Sequence, residues 1–374
     1  MIIALALVNG FQETVSNKVF SFSGHIRVQF KQALSGPVSE EIPIGRNAEA
    51  EALIKHDPRV KSIHPYATRY GILKSGDAME GLLIKGLNNE FDPNLLKRFI
   101  KQGRWLNFKD STYAREILIS EYTSNQLKAA PNDTIRIYFV RPDGTLRPDK
   151  LVVVGIYKTG IDDYDKQIAI ADMKLIRRLN DWKENEIGGY EVFLHDFNQM
   201  KKASNDLYEN NAFPETWDAQ PIKSIYPNIF DWLNLQNLTR NVLIGFMSLV
   251  AFINLITCLI ILVLERIRMI GVLKALGATD WTVQKIFLRH SMIITSMGIL
   301  FGALLGLGLL YLQKATGFIK LKEEAYYMSE AAVKIVWSEV ALVCLATFAV
   351  SFLILMIPTL IVKRVKPVKA IQFR

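Results

Sequence analysis

Three stretches of the chain carry no charge: residues 242–264, 291–312 and 340–362, of 23, 22 and 23 residues. A helix rises about 1.5 Å per residue, so roughly 20 apolar residues cross a hydrocarbon core of about 30 Å. A core helix of a soluble protein would turn a polar face outward every few residues, and none of the three does. The pattern predicts three membrane spans. Residues 1–8, Met-Ile-Ile-Ala-Leu-Ala-Leu-Val, are also apolar, but Asn9-Gly10 interrupts the run. They show neither the basic n-region nor the small-residue cleavage site of a signal peptide, and eight residues are too few to span. Residues 1–9 therefore read as the remnant of a first transmembrane helix, with Met1 an internal methionine or a misplaced start.

Residues 10–240 are patterned differently. Alternation predicts strands over 25–30, 116–119, 134–140 and 151–156. Between the last two lies Arg141-Pro-Asp-Gly-Thr-Leu-Arg-Pro. Pro-Asp-Gly is turn chemistry, so a β-hairpin with a polar, basic tip is expected. Helical spacing appears over 48–55, 94–102, 122–129, 173–180 and 198–211, and again over 227–243 as a helix feeding the second span. Strands and helices mix without strict alternation, which predicts two small subdomains rather than a doubly wound sheet. The expected fold is an α-helical membrane protein of four spans, the first truncated, with an α+β extracytoplasmic domain over 10–240. Spans two to four cover 241–264, 291–312 and 340–362.

Charge sets the orientation. Segment 265–290 carries five Lys/Arg against two acids, and the tail 363–374 carries five against none, while 313–339 balances four against four. Positive charge favours the cytoplasm, so the first two lie inside, and 10–240 and the 313–339 loop lie outside. The inner segments supply +8 of the net +9. The basic balance is thus a topology signal, and no basic patch with interleaved aromatics points to nucleic acid. Cys258 and Cys344 both fall within spans, which leaves the outer domain without a disulfide framework.

Catalytic motifs are missing. The chain has no phosphate-cradling Gly-x-x-x-x-Gly-Lys-Ser/Thr, no His-Glu-x-x-His, no Gly-x-Ser-x-Gly and no Cys-x-x-Cys. His25, His56, His64, His195 and His290 lack ligand spacing. Asp162-Asp163-Tyr164-Asp165 lacks the spacing of a calcium loop and reads as a solvated acidic turn. No catalytic residue, metal or bound cofactor is expected.

One segment stands out between the second and third runs: Glu-Arg-Ile-Arg-Met-Ile-Gly-Val-Leu-Lys-Ala-Leu-Gly-Ala-Thr-Asp, beginning at Glu265. Residues 265–276 read as a helix with Ile267, Ile270, Val272, Leu273 and Leu276 apolar and Glu265, Arg266, Arg268 and Lys274 polar. Gly277 suits the C′ position, and Thr279-Asp280 opens the next helix. In the third run, Gly298, Gly302 and Gly306 recur every fourth residue and form a face on which helices can approach closely, expected to pack within the chain. Asn254 and Thr257 sit mid-span, where polar groups seek interhelical hydrogen bonds.

Several stretches resemble the lipoprotein-releasing (LolC/LolE-type) branch of the FtsX-like permeases. Asn9-Gly-Phe-Gln-Glu followed by Gly24-His-Ile-Arg-Val resembles that family's exit from its first span. Glu116-Ile-Leu-Ile-Ser-Glu with Asn132-Asp, and Val154-Gly-Ile-Tyr-Lys-Thr-Gly with Tyr164-Asp165, resemble its outer domain. Ala251-Phe-Ile-Asn-Leu-Ile and the segment from Glu265 resemble its second span and cytoplasmic loop. The tail departs, reading Lys366-Pro-Val-Lys-Ala where the family has a Pro-x-Glu-Ala-like motif.

The resemblance implies a permease subunit in the bacterial inner membrane, itself no enzyme, worked by a separate ABC ATPase subunit that binds ATP and Mg. It implies a second permease of the same or a homologous chain, a lipoprotein substrate, and a periplasmic lipoprotein carrier. Glu265, Arg266, Arg268, Ile270, Gly271, Lys274, Leu276 and Gly277 would couple to the ATPase. Phe11, Phe246, Ile253 and Asn254 are candidates for a substrate cavity between the first and second spans. Arg141, Asp143, Leu146 and Arg147 would dock the carrier, although the hairpin is short for that role. A macrolide-exporter-type efflux permease and a non-transporting FtsX-like scaffold for cell-wall hydrolases are the alternatives. Replacing Gly271 or Leu276 by Asp is expected to abolish ATPase-linked activity while leaving membrane insertion intact.

Overall fold

The computed structural model describes residues 1–32, 42–108, 113–140 and 145–364. The chain divides into two compact units: Met1–Thr14, Trp232–Lys320 and Glu330–Arg374 form one, Val15–Asp231 and Leu321–Ser329 the other.

The first unit is helical. Helix α1 (Ile2–Ser23) opens the chain and runs through Asn9-Gly10 without a break, which corrects the expected interruption. Asn9 instead serves as a polar junction: its Nδ2 donates to Glu339 at 2.6 Å, and its Oδ1 accepts from Arg240 at 3.2 Å. Gly10 is there for space, since a Cβ would collide with the backbone of Ala332 and Lys334. Nearby, Phe11 meets Trp232 edge-on at 5.1 Å, Gln12 donates to the Leu233 carbonyl, and Glu13 pairs with Lys334 at 2.9 Å.

The second unit is α+β, and its elements follow in chain order. After α1 come β1 (Ile26–Phe30), β2 (Ile44–Gly45), α2 (Ala48–His56), β3 (Val60–Ser75), β4 (Ala78–Leu87), α3 (Asn94–Lys97) and β5 (Ile100–Gly103). Next are β6 (Glu116–Ser120), α4 (Glu121–Leu127), β7 (Thr134–Val140), β8 (Leu146–Tyr157), α5 (Asp162–Asp165), β9 (Ile168–Asp172) and α6 (Met173–Leu179). The unit continues with β10 (Glu186–Ile187), β11 (Gly189–Leu194), α7 (Met200–Tyr208), β12 (Trp217–Pro221) and α8 (Ile222–Ile225). The chain then returns to the helical unit through α9 (Pro227–Glu265), α10 (Ile267–Ala275) and α11 (Asp280–Thr316), makes the short α12 (Glu323–Tyr326), and ends on α13 (Trp337–Arg364).

Helices α9 and α11 contain stretches long and apolar enough to cross a membrane, Pro227–Cys258 and Trp281–Thr316. The comparable part of α13, Trp337–Leu353, is shorter among the described residues. Among the described residues, two of the four expected spans are thus carried by length and composition. Large apolar side chains along α9, such as Leu238 and Ile253, are exposed. A contiguous apolar surface of this kind belongs against lipid or protein rather than water.

Strand β3 organises the second unit because its two halves serve different sheets. Its first half closes an antiparallel sheet in the order β12-β1-β11-β3. Its second half pairs with both β4 and β7. From there the pairing runs β4-β9-β6-β8-β7 and back to β3, so six strands close into a ring, with β5 added on the outside of β8. Closure removes exposed edges. Where two small subdomains were expected, the two strand groups share β3 and lie in one compact unit. On β7, buried Ile135, Ile137 and Phe139 alternate with outward Arg136 and Tyr138, the period-two signature that made this strand predictable. Side-chain oxygens start the helices: Asn47 caps α2, Ser120 caps α4 and Asp172 caps α6.

Two expectations need correction here. The helix expected over 94–102 stops at Lys97, because Ile100–Gly103 pairs with β8. The acidic turn is not solvated throughout. Asp162 is exposed and pairs with Lys166, while Tyr164 and Asp165 are buried. The Asp165 carboxylate accepts from the Thr159 N–H and hydroxyl and from the Gly160 N–H, bonds that oppose the upward push of burial on its pKa.

His25 offers a test of the packing in this unit. Its Nδ1 accepts from the Leu194 N–H at 2.8 Å, and its ring packs on Phe20 and Phe193. Burial, aided by Lys61 and opposed by Asp196, lowers its pKa from 6.5 to about 4. The unfolded chain therefore takes the proton first. Stability present above pH 6.5 is lost as the pH falls toward about 4, by roughly 3 kcal/mol from this group. Unfolding of His25→Gln should show a correspondingly flatter pH dependence between 7 and 4, and an unchanged slope would contradict the burial account.

Candidate functional site

The segment predicted to couple begins where α9 ends. Helix α10 closes on Leu276 with two bonds, Gly277 N–H to Lys274 C=O and Ala278 N–H to Leu273 C=O, both at 3.0 Å. This is a Schellman closure, and it needs the left-handed conformation that Gly277 adopts at φ 93°. Thr279 then caps α11 by accepting from the Thr282 N–H. The segment has two apolar faces. Ile270, Gly271 and Val283 are buried, whereas Met269, Val272, Leu276 and Trp281 are exposed, Leu276 by 81%. Glu265, Arg266 and Arg268 are exposed around them, and Lys274 is half-buried. The segment thus buries one apolar face and leaves Leu276 and Trp281 in the open.

The other predicted sets are brought together only in part. Gly306 lies against Ile2 and Ile3 of α1, 3.9–4.0 Å from where a Cβ would stand, but Gly298 and Gly302 face open space. Packing within the chain thus accounts for one of the three glycines. Phe11 packs on Trp232, fourteen residues before Phe246 on the same helix, which is about 21 Å along its axis. Phe246, Ile253 and Asn254 are exposed on α9, and Phe11 does not share a site with them. In the hairpin, Arg141 and Asp143 lie outside the described residues. Leu146 is exposed, and Arg147 donates to the Arg178 carbonyl at 3.1 Å. Among the described residues no cluster of His, Cys, Asp or Glu could hold a metal.

A set that sequence reasoning missed lies in the α+β unit, where the end of α1 and the start of α9 are seated. Lys85 on β4 and Glu191 on β11 form an ion pair of 2.6 Å, with side chains 5% and 0% exposed. The Lys85 ammonium also donates to the Phe22 carbonyl in the last turn of α1, where the helix dipole favours a cation. Beside it, the Phe22 ring stacks on Tyr164 at 4.7 Å, the Ser23 and Tyr164 hydroxyls are 3.2 Å apart, and Tyr226 meets Tyr164 edge-on at 5.7 Å. Tyr157 supports this cluster by donating to the Ile168 carbonyl at 2.6 Å. Burial pushes the phenols of Tyr157 and Tyr164 well above their ordinary value, so both remain protonated donors.

Comparison with known proteins matches the chain to two family models. Residues 1–207 match the MacB-like periplasmic core domain, more than half of the chain, and residues 241–367 match the FtsX-like permease C-terminal domain. The chain belongs to the FtsX-like permeases. Its relatives include "Lipoprotein-releasing system transmembrane protein LolC" of Xylella fastidiosa, 22% identical over all of this chain and 90% of the relative. "Lipoprotein-releasing system transmembrane protein LolE" of Haemophilus influenzae is 19% identical over the same shares. Among solved structures, the periplasmic region of MacB from Actinobacillus actinomycetemcomitans covers 55% of this chain and 91% of its own, at 15% identity and a TM-score of 0.38.

For this FtsX-like permease, the geometry separates Gly271 from Leu276, which the sequence treated alike. Gly271 is buried, so an Asp there would disturb the packing of α10 itself. Leu276 is open, so Leu276→Asp should leave the fold intact and remove an apolar contact on the exposed face. Leu276→Asp is expected to insert and fold normally but to lose stimulation of a co-expressed ABC ATPase by about tenfold or more, as a central interface residue would. Wild-type stimulation in that variant would show that the exposed face is not the docking surface.

Proposed function

We propose that this permease is the membrane subunit of an ATP-driven complex that extracts lipoproteins from the bacterial inner membrane and passes them to a periplasmic carrier. The observation that carries the reading is likeness along the entire chain, both helical and α+β units, to proteins named for lipoprotein release. In this reading α1 and α13 join α9 and α11 as four spans, with the α+β unit in the periplasm and α10 in the cytoplasm. The exposed Leu276 and Trp281 rest on a separate ABC ATPase, which holds the ATP and Mg. The uncovered Gly298–x–x–x–Gly302 face of α11 receives a second permease of the same or a homologous kind.

The physics of the cargo explains why such a machine needs force. Each buried acyl CH₂ is worth about 0.8 kcal/mol, so two or three chains hold a lipoprotein by tens of kcal/mol. Extraction through water would be prohibitive, and the exposed apolar flank of α9 around Phe246 and Ile253 offers the chains an alternative to it. Closing the helices on that flank, driven from α10, would expel the lipid toward the outer domain. The hairpin at Leu146 and Arg147 is then the place for a carrier.

The direct test is reconstitution of the permease with its ABC ATPase in proteoliposomes holding a labelled triacylated lipoprotein. ATP together with a soluble lipoprotein carrier should move label into the supernatant, and either alone should not. ATPase stimulation by macrolides without lipoprotein release would establish the efflux reading instead.

A further inference from the structure

Between α11 and α13 the chain makes a loop, Leu321–Ser329, that groups with the α+β unit rather than with the helices on either side of it. Its neck is closed by backbone bonds, Leu321 N–H to Ser329 C=O at 2.9 Å and Ala331 N–H to Ile319 C=O at 3.0 Å. Within the loop, α12 ends on Tyr327 in the left-handed conformation, and Met328 is buried. Two lysines hold the loop. Lys158, just after β8, pairs with Glu323 at 3.2 Å and with Glu121 of α4 at 2.8 Å. Lys18 of α1 donates to the carbonyls of both Thr159 and Tyr327, bridging the two segments of the contact. Gly160, at φ 75°, leaves room for the Glu323 side chain, which a Cβ there would strike at 2.8 Å.

The strength of this fastening matters. Lys158, Glu121 and Glu323 line a cleft of about 810 Å³ open to solvent, and the lysine and Glu323 are 34% and 30% exposed. Such pairs are individually weak, and solvent screens them. Lys18 is different because it crosslinks the loop to the 159–160 backbone from a half-buried position. That backbone is in turn fixed by the buried Asp165. The contact is thus built from one anchored bridge and one adjustable ion pair, on a loop whose two ends continue into α11 and α13.

We propose that Leu321–Ser329 is a strap that carries displacement of α11 and α13 into the α+β unit, fastened by Lys18 to Tyr327 and by Lys158 to Glu323. The proposal rests on the lipoprotein-release reading for its transport readout only, because the strap itself can be observed by amide exchange. The full chain is assembled with its ABC ATPase and exchange is followed over 321–329 in the wild type, Glu323→Gln, Lys18→Met/Glu323→Gln and Glu121→Gln. Exchange is expected to rise about two- to fivefold in Glu323→Gln and tenfold or more in the double variant. Glu121→Gln, which removes the other partner of Lys158, should leave it unchanged. ATP-driven lipoprotein release should fall in step with the loosening, with nucleotide hydrolysis retained. Wild-type protection in the double variant would overturn the fastening. A loosened strap with full release would overturn its role in transmission. Absence of release in the wild type would count against the lipoprotein-release reading and leave the exchange result to stand on its own.

Discussion

The buried ion pair between Lys85 and Glu191 is the interaction on which the α+β unit is arranged. Burying two charges costs several kcal/mol each, and good geometry with further hydrogen bonds is needed to offset it. Here the ammonium has a second acceptor, the Phe22 carbonyl, so the pair caps the C-terminal end of α1 as well as joining β4 to β11. An apolar pair could join two strands at least as firmly, but it could not hold a helix end by its unsatisfied carbonyl. The charges thus serve position more than stability.

Around that pair the aromatic cluster completes the seat. Tyr164 touches Phe22 and Ser23 from the end of α1 and Tyr226 from just before α9, so one side chain meets both segments that lead to the helical unit. Asp165, its neighbour, fixes the 159–160 backbone to which Lys18 reaches. Neighbours in sequence thus hold different segments: Tyr164 meets the end of α1 and the lead-in to α9, and Asp165 holds the turn at Thr159 and Gly160.

Much of this was legible in the sequence, for identifiable reasons. The apolar runs of α9 and α11, the Gly277 closure of α10 and the pairing of β7 with β8 depend on local rules, and each appears where the pattern put it. The long hairpin of β3 and β4 was not legible, because Arg69 and Lys85 break its alternation. Lys85 looks like a surface residue until Glu191, 106 positions later, is seen opposite it. The same holds for Asp165, whose burial depends on the loop at Thr159 folding over it. Asn9-Gly10 misled in the other direction. A polar residue and a glycine read as an end, when the partners that explain them are Glu339, Arg240 and the backbone near Ala332, more than 200 residues away.

The Lys85–Glu191 pair positions α1 rather than merely stabilising the domain. Removing one partner alone would leave a buried charge and cost about 3–5 kcal/mol, which confuses position with folding. The informative variant is Lys85→Met/Glu191→Leu, which keeps the volume and removes both charges. The measurement is ATP-driven lipoprotein release by this variant in the assembled complex, at equal amounts of protein shown by thermal unfolding to be folded. Near-normal unfolding is expected with release reduced about tenfold or more, because the Phe22 carbonyl has lost its clamp. Release at the wild-type rate from the folded double variant would contradict it.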